Sequence, residues 1–582
     1  MPGLTVKADR RGPVVVLAVI LLLGGAARFW NLNWDQGAFT FYPDEAEYNR
    51  AALQLFPNLN PHFFNYGTFP IYLYRLTAAI LHHLTGVDWT ALERFALIGR
   101  AYSALASTLT ILVVYAAGRR LWNAWAGVLA AGLLAGAALA IQSAHFGTVD
   151  TILTLEAALM LLVSLHLAAD GGRRWYVLAG IILGLGLATK LTAASFLLMP
   201  LLAHLAHIRI ADASGRFRRI AGPPALLLGC AAVTCLIAAP YYVLAWDEFR
   251  AMLTSVQAAA SDPYRYSFNW QFIGTTPLLF EGRNLVVWAL GVPLGLAAVG
   301  GYAWALVETV RRRSLPLLLL TLWPGLYLLY MSTYVGRFIR YLMPLLPFCC
   351  LCAAGGLLAL AVGLRRHGAA GDWAARVVVG AVVLGAMGWG ASFLSIYSQL
   401  DTRLAATRWI YDHVPRGSRW LMEGTYQQLP IPDAAHPADW YQRATLPVAS
   451  AESPRKADVL ARALAANSWL VIPDRRWSNV LPRLPDFPVA RQFYARLFAG
   501  QLGYTEVARF ANPPRLGPLV WWDDSAEETF QVFDHPTVRI FRNTGNLSVA
   551  QLSALLRTGD SELPGASLAP GVAASELARH VP

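Results

Sequence analysis

The chain has 582 residues, of which 56% are hydrophobic and only 14% charged, whereas soluble globular domains carry about 25% charged residues. A deficit of that size means that most of the surface meets lipid rather than water. The 47 Lys and Arg against 35 Asp and Glu leave a net charge of +12. The basic residues nevertheless sit in short clusters between apolar runs, the pattern that sets membrane topology, which argues against nucleic-acid binding.

Lys7, Arg10 and Arg11 open the chain ahead of an apolar stretch that continues to about Phe29. No small-residue cleavage site follows a short core, so this reads as a retained first span. Apolar runs near the roughly 20 residues needed to cross a hydrocarbon core predict further spans near 95–117, 124–142, 151–169, 175–189, 193–209, 220–243, 285–308, 315–331, 341–363 and 376–397, about eleven in all. With the N-terminus inside, Arg119-Arg120, Arg173-Arg174, Arg216-Arg218-Arg219, Arg311-Arg312-Arg313 and Arg365-Arg366 all fall on the cytoplasmic face. Cys230, Cys235, Cys349, Cys350 and Cys352 lie inside these runs with no zinc-type spacing to histidine, and read as packing residues.

This topology leaves 31–94 as a long external loop with amphipathic stretches at 46–56 and 69–84. The second, FPIYLYRLTAAILHHL, is nearly long enough to span, but counting it as a span would put the later arginine clusters on the wrong face. It therefore reads as an interfacial helix with Tyr72, Tyr74 and Arg75 at headgroup level. After 397 the sequence turns mixed. TRLAATRWIYDHV and KADVLARALAANSWLVIP each read as a helix followed by a strand, and FQVFDHPTVRIFRN as two strands around a turn. The expectation is a polytopic α-helical membrane domain over 1–397 and a soluble external α/β or α+β domain over 398–582, disordered only over its last twenty or so residues.

Four loop segments hold the informative polar residues. FYPDEAEYNR supplies Asp44, Glu45 and Glu47 among Phe41, Tyr42, Pro43 and Tyr48, a half-buried setting that raises a carboxylate pKa and suits it to base chemistry. HFGTVDTILT puts His145 and Asp150 at the external mouth of the fourth span; an N-cap or helix-dipole role is the plain alternative for the aspartate. Lys190 follows GLGLAT in a short turn, where a lysine either snorkels or binds an anion. YVGRFIRYLMPLLP brings Arg337, Arg340 and Tyr341 to the same face, and the forked arginine donors suit phosphate oxygens as well as lipid headgroups. Together, carboxylates and cations on one membrane face suit a lipid-borne phosphate compound with a group to transfer. Trp521-Trp522-Asp523-Asp524 reads as a surface acid run entering a strand, and Asp534 and His535 as turn residues.

A first span, an acidic pair in a long loop, an Asp heading the fourth span, a Lys after GLGLAT and DTRLAATRWIYDHVPRGS after the last span form an order. That order resembles the GT-C glycosyltransferases, within them the bacterial protein O-mannosyltransferase-like and aminoarabinose-transferase-like branch, over roughly 1–430. The resemblance implies a plasma-membrane enzyme that moves a sugar from a polyprenyl-phosphate donor to a protein, lipid or glycan acceptor, with inversion. It makes Asp44 the essential loop carboxylate that deprotonates or orients the acceptor, Glu45 its motif neighbour and Asp150 the second acidic position. Lys190, Arg337 and Arg340, with Tyr341, would hold the donor phosphate, and Tyr42 and His145 would line the acceptor side. Some branches use a divalent metal, Mg or Mn, and others do not, and the residues here leave that open. The alternatives are an oligosaccharyltransferase, which would need Asp523, and a flippase, to which Glu156 and His166 inside the fourth span would point. A scaffold for a glycan-assembly complex would tolerate loss of Asp44.

Overall fold

Long apolar runs can satisfy their backbone hydrogen bonds in lipid only as helices or closed barrels, and here they form helices. The computed structural model describes residues 11–38, 41–208, 216–424 and 428–557. Lys7, Arg10, the side chains of Arg216, Arg218 and Arg219, and the chain end read as disordered lie outside the described residues. Among the described residues nine helices are long and apolar enough to cross a membrane, from Arg11–Phe29 to the run that opens with Gly368–Leu394. A tenth is the pair Ala124–Ala135 and Ala138–Ala144, bent by 62° at its break. The remaining expected span is the 17-residue helix Arg173–Thr189. It packs closely on Arg216–Ala238: a side-chain carbon added at Gly184 would lie 2.5 Å from the Ala231 carbonyl oxygen. Small residues at such crossings let helix backbones approach where no water-driven force exists.

The first loop folds into two short helices. Pro43–Leu53 starts with Pro43 in its first turn and Asp44 and Glu45 beside it, where proline fits without losing a bond and carboxylates meet the positive end of the helix dipole. Phe69–Thr85 stops at Gly86 in the left-handed region. It buries Ile71, Tyr74 and Ala78 and leaves Leu76, Ile80 and Leu84 exposed, an amphipathic helix as expected. Tyr74 departs from its expected headgroup position: it is fully buried and stacks on Tyr102 at 5.6 Å.

Beyond Leu394 the chain builds a five-stranded sheet. The strands are β1 (Arg419–Glu423), β2 (Gln442–Leu446), β3 (Trp469–Ile472), β4 (Tyr504–Phe510) and, after a separate two-stranded hairpin of β5 (Arg515–Leu516) and β6 (Leu519–Val520), β7 (Val538–Asn543). The order is β2-β1-β3-β7-β4, with β2, β1 and β3 parallel and β7 and β4 antiparallel to their neighbours. The helices Thr402–His413 and Lys456–Ala466 precede β1 and β3 in the expected helix-then-strand order. The FQVF segment corrects the sequence reading: Glu528–Phe530 is a 3-10 turn, and only the following VRIFRN pairs as a strand. Its apolar residues face another partner. Ala526, Phe530, Val532 and Phe533 are buried in the same cluster as Trp34, Tyr42, Trp288 and Phe393 of the helical part. The sheet domain and the spanning helices thus share one core through residues 526–533.

Candidate active site

Two acid–base pairs meet around one tyrosine. Asp44, in the first turn of Pro43–Leu53, accepts from Arg340 Nη1 and, at 3.2 Å, from the Tyr66 hydroxyl. Arg340 sits in the 3-10 turn Ile339–Leu345, which leads into the Leu346–Arg365 helix, and also donates to the hydroxyls of Tyr42 at 2.5 Å and Tyr66 at 3.0 Å. Asp150 heads the Asp150–Asp170 helix, and its Oδ1 accepts from Lys190 Nζ at 2.9 Å. Lys190 caps the Arg173–Thr189 helix in extended conformation, and its ammonium lies 5.3 Å from the Tyr66 ring and 4.5 Å from the Tyr341 ring, within cation–π range. Asp44, Tyr48, Tyr66, Thr148, Val149 and Asp150 line a narrow cleft between these groups.

The scaffold behind the cleft is tight. The Gly67 N–H donates to the Thr189 carbonyl at 2.9 Å, and a side-chain carbon added at Gly67 would lie only 1.9 Å from the Ala188 carbonyl oxygen. The Tyr48 hydroxyl closes the same joint on the Gly67 carbonyl. Tyr66 is thereby fixed directly against the helix end that carries Lys190. Burial pushes the Tyr42 phenol up to about 12, against the opposing pull of Arg340, and drives Tyr66 well above the ordinary tyrosine value. Both phenols stay protonated at neutral pH and can donate.

Of the residues singled out from the sequence, Asp44, Asp150, Lys190, Arg340, Tyr341 and Tyr42 come together here. Glu45 does not reach the cleft. It is fully buried, both of its oxygens accept from Arg100 at 2.8 Å, and Oε1 also takes the Gly147 N–H. Arg100 is held on its other side by Asp35 at 2.7 Å. His145 is likewise buried away from the cleft, stacked 3.7 Å from the Tyr397 ring with its nitrogens against the Ile141 and Trp30 carbonyls. Arg337 faces Glu281 at 3.3 Å and the Thr275 hydroxyl at 2.6 Å, apart from the tyrosine cluster. Glu47 pairs with Arg50 on the surface. Glu156 accepts from Thr189 at 2.9 Å, and His166 stacks on Trp175.

The C-terminal acid run is a second correction. Asp523 is fully buried, not on the surface, and accepts from His535 Nε2 at 2.6 Å while Asp534 holds Nδ1 at 2.5 Å. Tyr397 and Gln142 of the helical part donate to the far oxygen of Asp534. Burial lowers the His535 pKa, but the two aspartates outweigh it and raise it to about 10. The same segment touches the cleft: the Phe533 ring stands edge-on to Tyr42 at 4.3 Å, and Glu527 accepts the Ile339 N–H at 3.1 Å, next to Arg340. Sequence reasoning missed Tyr66 and Glu527. Among the described residues no group of three or more His, Cys, Asp or Glu is placed to hold a metal ion. The two cleft carboxylates each face a cation, Asp44 facing Arg340 and Asp150 facing Lys190.

Residues 89–258 match the family model of dolichyl-phosphate-mannose-protein mannosyltransferase. The chain is 28% identical over 266 residues to undecaprenyl phosphate-alpha-4-amino-4-deoxy-L-arabinose arabinosyl transferases of two Pseudomonas aeruginosa strains, UCBPP-PA14 and PAO1. The match covers 43% of this chain and 44% of each relative, so the chain spans less than half the length of the curated relatives that it matches. Among solved structures it is similar to ArnT from Cupriavidus metallidurans bound to undecaprenyl phosphate, with 18% identity, TM-score 0.43, and 70% and 73% of the two chains covered. It is similar also to the Archaeoglobus fulgidus oligosaccharyltransferase tethered with an acceptor peptide, with 12% identity, TM-score 0.48, and 92% and 89% covered. The family-model match and the arabinosyl transferases bear out the resemblance to GT-C glycosyltransferases that the residues carry.

Proposed function

We propose that this chain, a membrane protein of GT-C type, transfers a sugar from a polyprenyl-phosphate donor to an acceptor hydroxyl or amine, with inversion at the anomeric carbon. The observation that carries this reading is the pairing of Asp44 with Arg340 and of Asp150 with Lys190 around Tyr66 at one cleft. Lys190 and Arg340 take the donor phosphate between them, with the Tyr66 and Tyr42 hydroxyls as neutral donors. They exchange their carboxylate partners for the phosphate oxygens, and Asp44 is freed to receive the acceptor proton. The acceptor attacks the anomeric carbon as the bond to the phosphate oxygen breaks, and the leaving phosphate ends against the same cations. Fixed charge aimed at a developing anion is commonly the largest single contribution to such a step.

In this reading Glu45, Arg100 and Asp35 form the buried prop under the Pro43–Leu53 helix. The cleft opens on the external face of a plasma membrane, a placement supported by the arginine clusters on the opposite connections. The C-terminal domain covers the acceptor side, as its Phe533 contact with Tyr42 suggests. An oligosaccharyltransferase using Asp523 is disfavoured, because that carboxylate is sealed against His535.

The test is transfer of label from a panel of radiolabelled polyprenyl-phosphate monosaccharides in purified membranes, wild type against Asp44→Asn. Label that reaches an acceptor only with the wild type supports the transferase and names the sugar class. Donor binding without transfer, unchanged by the substitution, sinks it in favour of a flippase or scaffold.

A further inference from the structure

The β5–β6 hairpin has no role in the cleft, yet its composition is unusual for a soluble domain. From Leu516 to Trp522 it reads LGPLVWW, without a charge, flanked by Arg515 on one side and Asp523-Asp524 on the other. Four of its large apolar side chains lie open: Leu516 at 43%, Leu519 at 58%, Val520 at 47% and Trp522 at 58%. Scattered exposed apolar residues need no explanation, but a contiguous group does.

Its position supplies the explanation. The hairpin lies along the C-terminal part of the Gly368–Leu394 helix, one of the candidate spans. Leu516 packs over Gly388, the Arg515 N–H donates to Ser395 Oγ at 3.1 Å, and Arg515 Nη2 reaches Gln399 at 2.8 Å. Gly388 is six residues before the helix end, roughly 9 Å down the axis at 1.5 Å per residue. Each interfacial zone of a bilayer is about 5–8 Å deep, the difference between its full and hydrocarbon thickness. Trp521 stands edge-on to Trp389 of this helix at 6.2 Å, which ties the hairpin to the buried Trp389 and Trp288, while Trp522, next in the chain, lies 58% open. Tryptophan gathers at the membrane–water interface, where its ring is half in lipid and its N–H meets polar groups. Neighbouring side chains on the spanning helices are open as well, Leu384 at 73% and Leu296 at 61%, so the apolar hairpin continues a lipid-facing surface.

We propose that the β5–β6 hairpin inserts into the lipid interface and anchors the sheet domain to the bilayer. Its occupant is the boundary between acyl chains and headgroups, with Leu519, Val520 and Trp522 as the inserted residues. This does not depend on the reaction proposed above.

The test is a fluorescent NBD label at Leu519→Cys, and separately at Trp522→Cys, in the full chain reconstituted in phosphatidylcholine vesicles. Background from the native cysteines is subtracted with the unsubstituted chain. Spin-labelled phosphatidylcholine with its nitroxide near the headgroup is the quencher, and a label at Arg462→Cys, on the exposed face of Lys456–Ala466, is the reference. The expected result is blue-shifted emission and at least twofold stronger quenching at both hairpin positions than at Arg462. Quenching equal to that at Arg462 overturns the proposal. So does a label shielded from both lipid and aqueous quenchers, which would mean that protein, such as a second copy of the chain, covers the hairpin.

Discussion

In the proposed reaction Lys190 and Tyr66 divide the work of the cleft between charge and geometry. Lys190 presents a full positive charge that Asp150 balances before a donor arrives. If Lys190 holds the leaving phosphate as proposed, replacing it by alanine removes one stabiliser, an effect of about 10²–10³ in rate for a preorganised donor. The expectation is that Lys190→Ala loses about that factor in kcat/KM for a lipid-phosphate sugar. Tyr66→Phe, which keeps the ring under the ammonium, should lose only about tenfold. Equal losses in a membrane assay would assign the hydroxyl a larger share. Glu45 belongs to a different class. Its carboxylate neutralises the fully buried Arg100, and removing one member of a buried pair costs about 3–5 kcal/mol; Asp35, still in place, holds the loss towards the lower end. Glu45→Ala should therefore lower the melting temperature and the yield of folded protein, whereas Asp44→Asn should leave both unchanged. A stable but inactive Glu45→Ala would return that residue to the chemistry. From the residues alone Asp44 and Glu45 read alike, and only the family resemblance set Asp44 first; neighbours on a helix start point about 100° apart, and the packing decides which one meets the cleft.

Among the elements, the turn Ile339–Leu345 is the most informative. It carries Arg340, and its first N–H is capped by Glu527 from the sheet domain. Glu527 is itself fixed: its N–H donates to Asn284 Oδ1 at 2.9 Å, and its carboxylate receives Thr529. A loosened turn would let Arg340 wander from Asp44, and a misplacement near 1 Å can cost about a hundredfold in rate. Glu527→Ala is expected to lower kcat by about tenfold or more with little change in donor affinity, and Glu527→Gln, which keeps an acceptor oxygen, to restore most of it. Equal behaviour of the two variants would refute the capping role. The spans were legible because an apolar run near twenty residues has few other fates. Asp150, Lys190 and Arg340 stood out because charge at a span end is expensive without a partner. Tyr66 gave no such signal, being one neutral aromatic in a loop rich in them. The FQVF segment misled because its apolar residues pack on membrane helices, so that burial without a second strand imitated strand alternation.

The membrane helices and the sheet domain share one buried cluster, and the His535 cluster stands at their junction. Its folded pKa is raised from 6.5 to about 10, so its contribution to stability is fully present below about pH 6.5 and is lost as pH rises through about 10. Thermal unfolding in detergent should show a steeper loss between pH 7 and 10 in the wild type than in His535→Gln. Parallel curves would exclude His535 as the titrating group. Removal of 398–582 would strip Phe530, Val532 and Phe533 from the shared core, a larger disturbance than the loss of an acceptor lid.

The Asp44–Arg340 contact spans 296 positions of the chain, and the Glu527 cap adds a further 188. A ribosome adding about 5–20 residues per second needs roughly 25–100 s to pass from Asp44 to Glu527. Throughout that interval the loop acid waits without its arginine, and then the arginine without its cap. If the proposed reaction is right, the protein is born silent: its spans are made before the cleft is complete, and the last part of the cleft to be made is Glu527, shortly before the last strand.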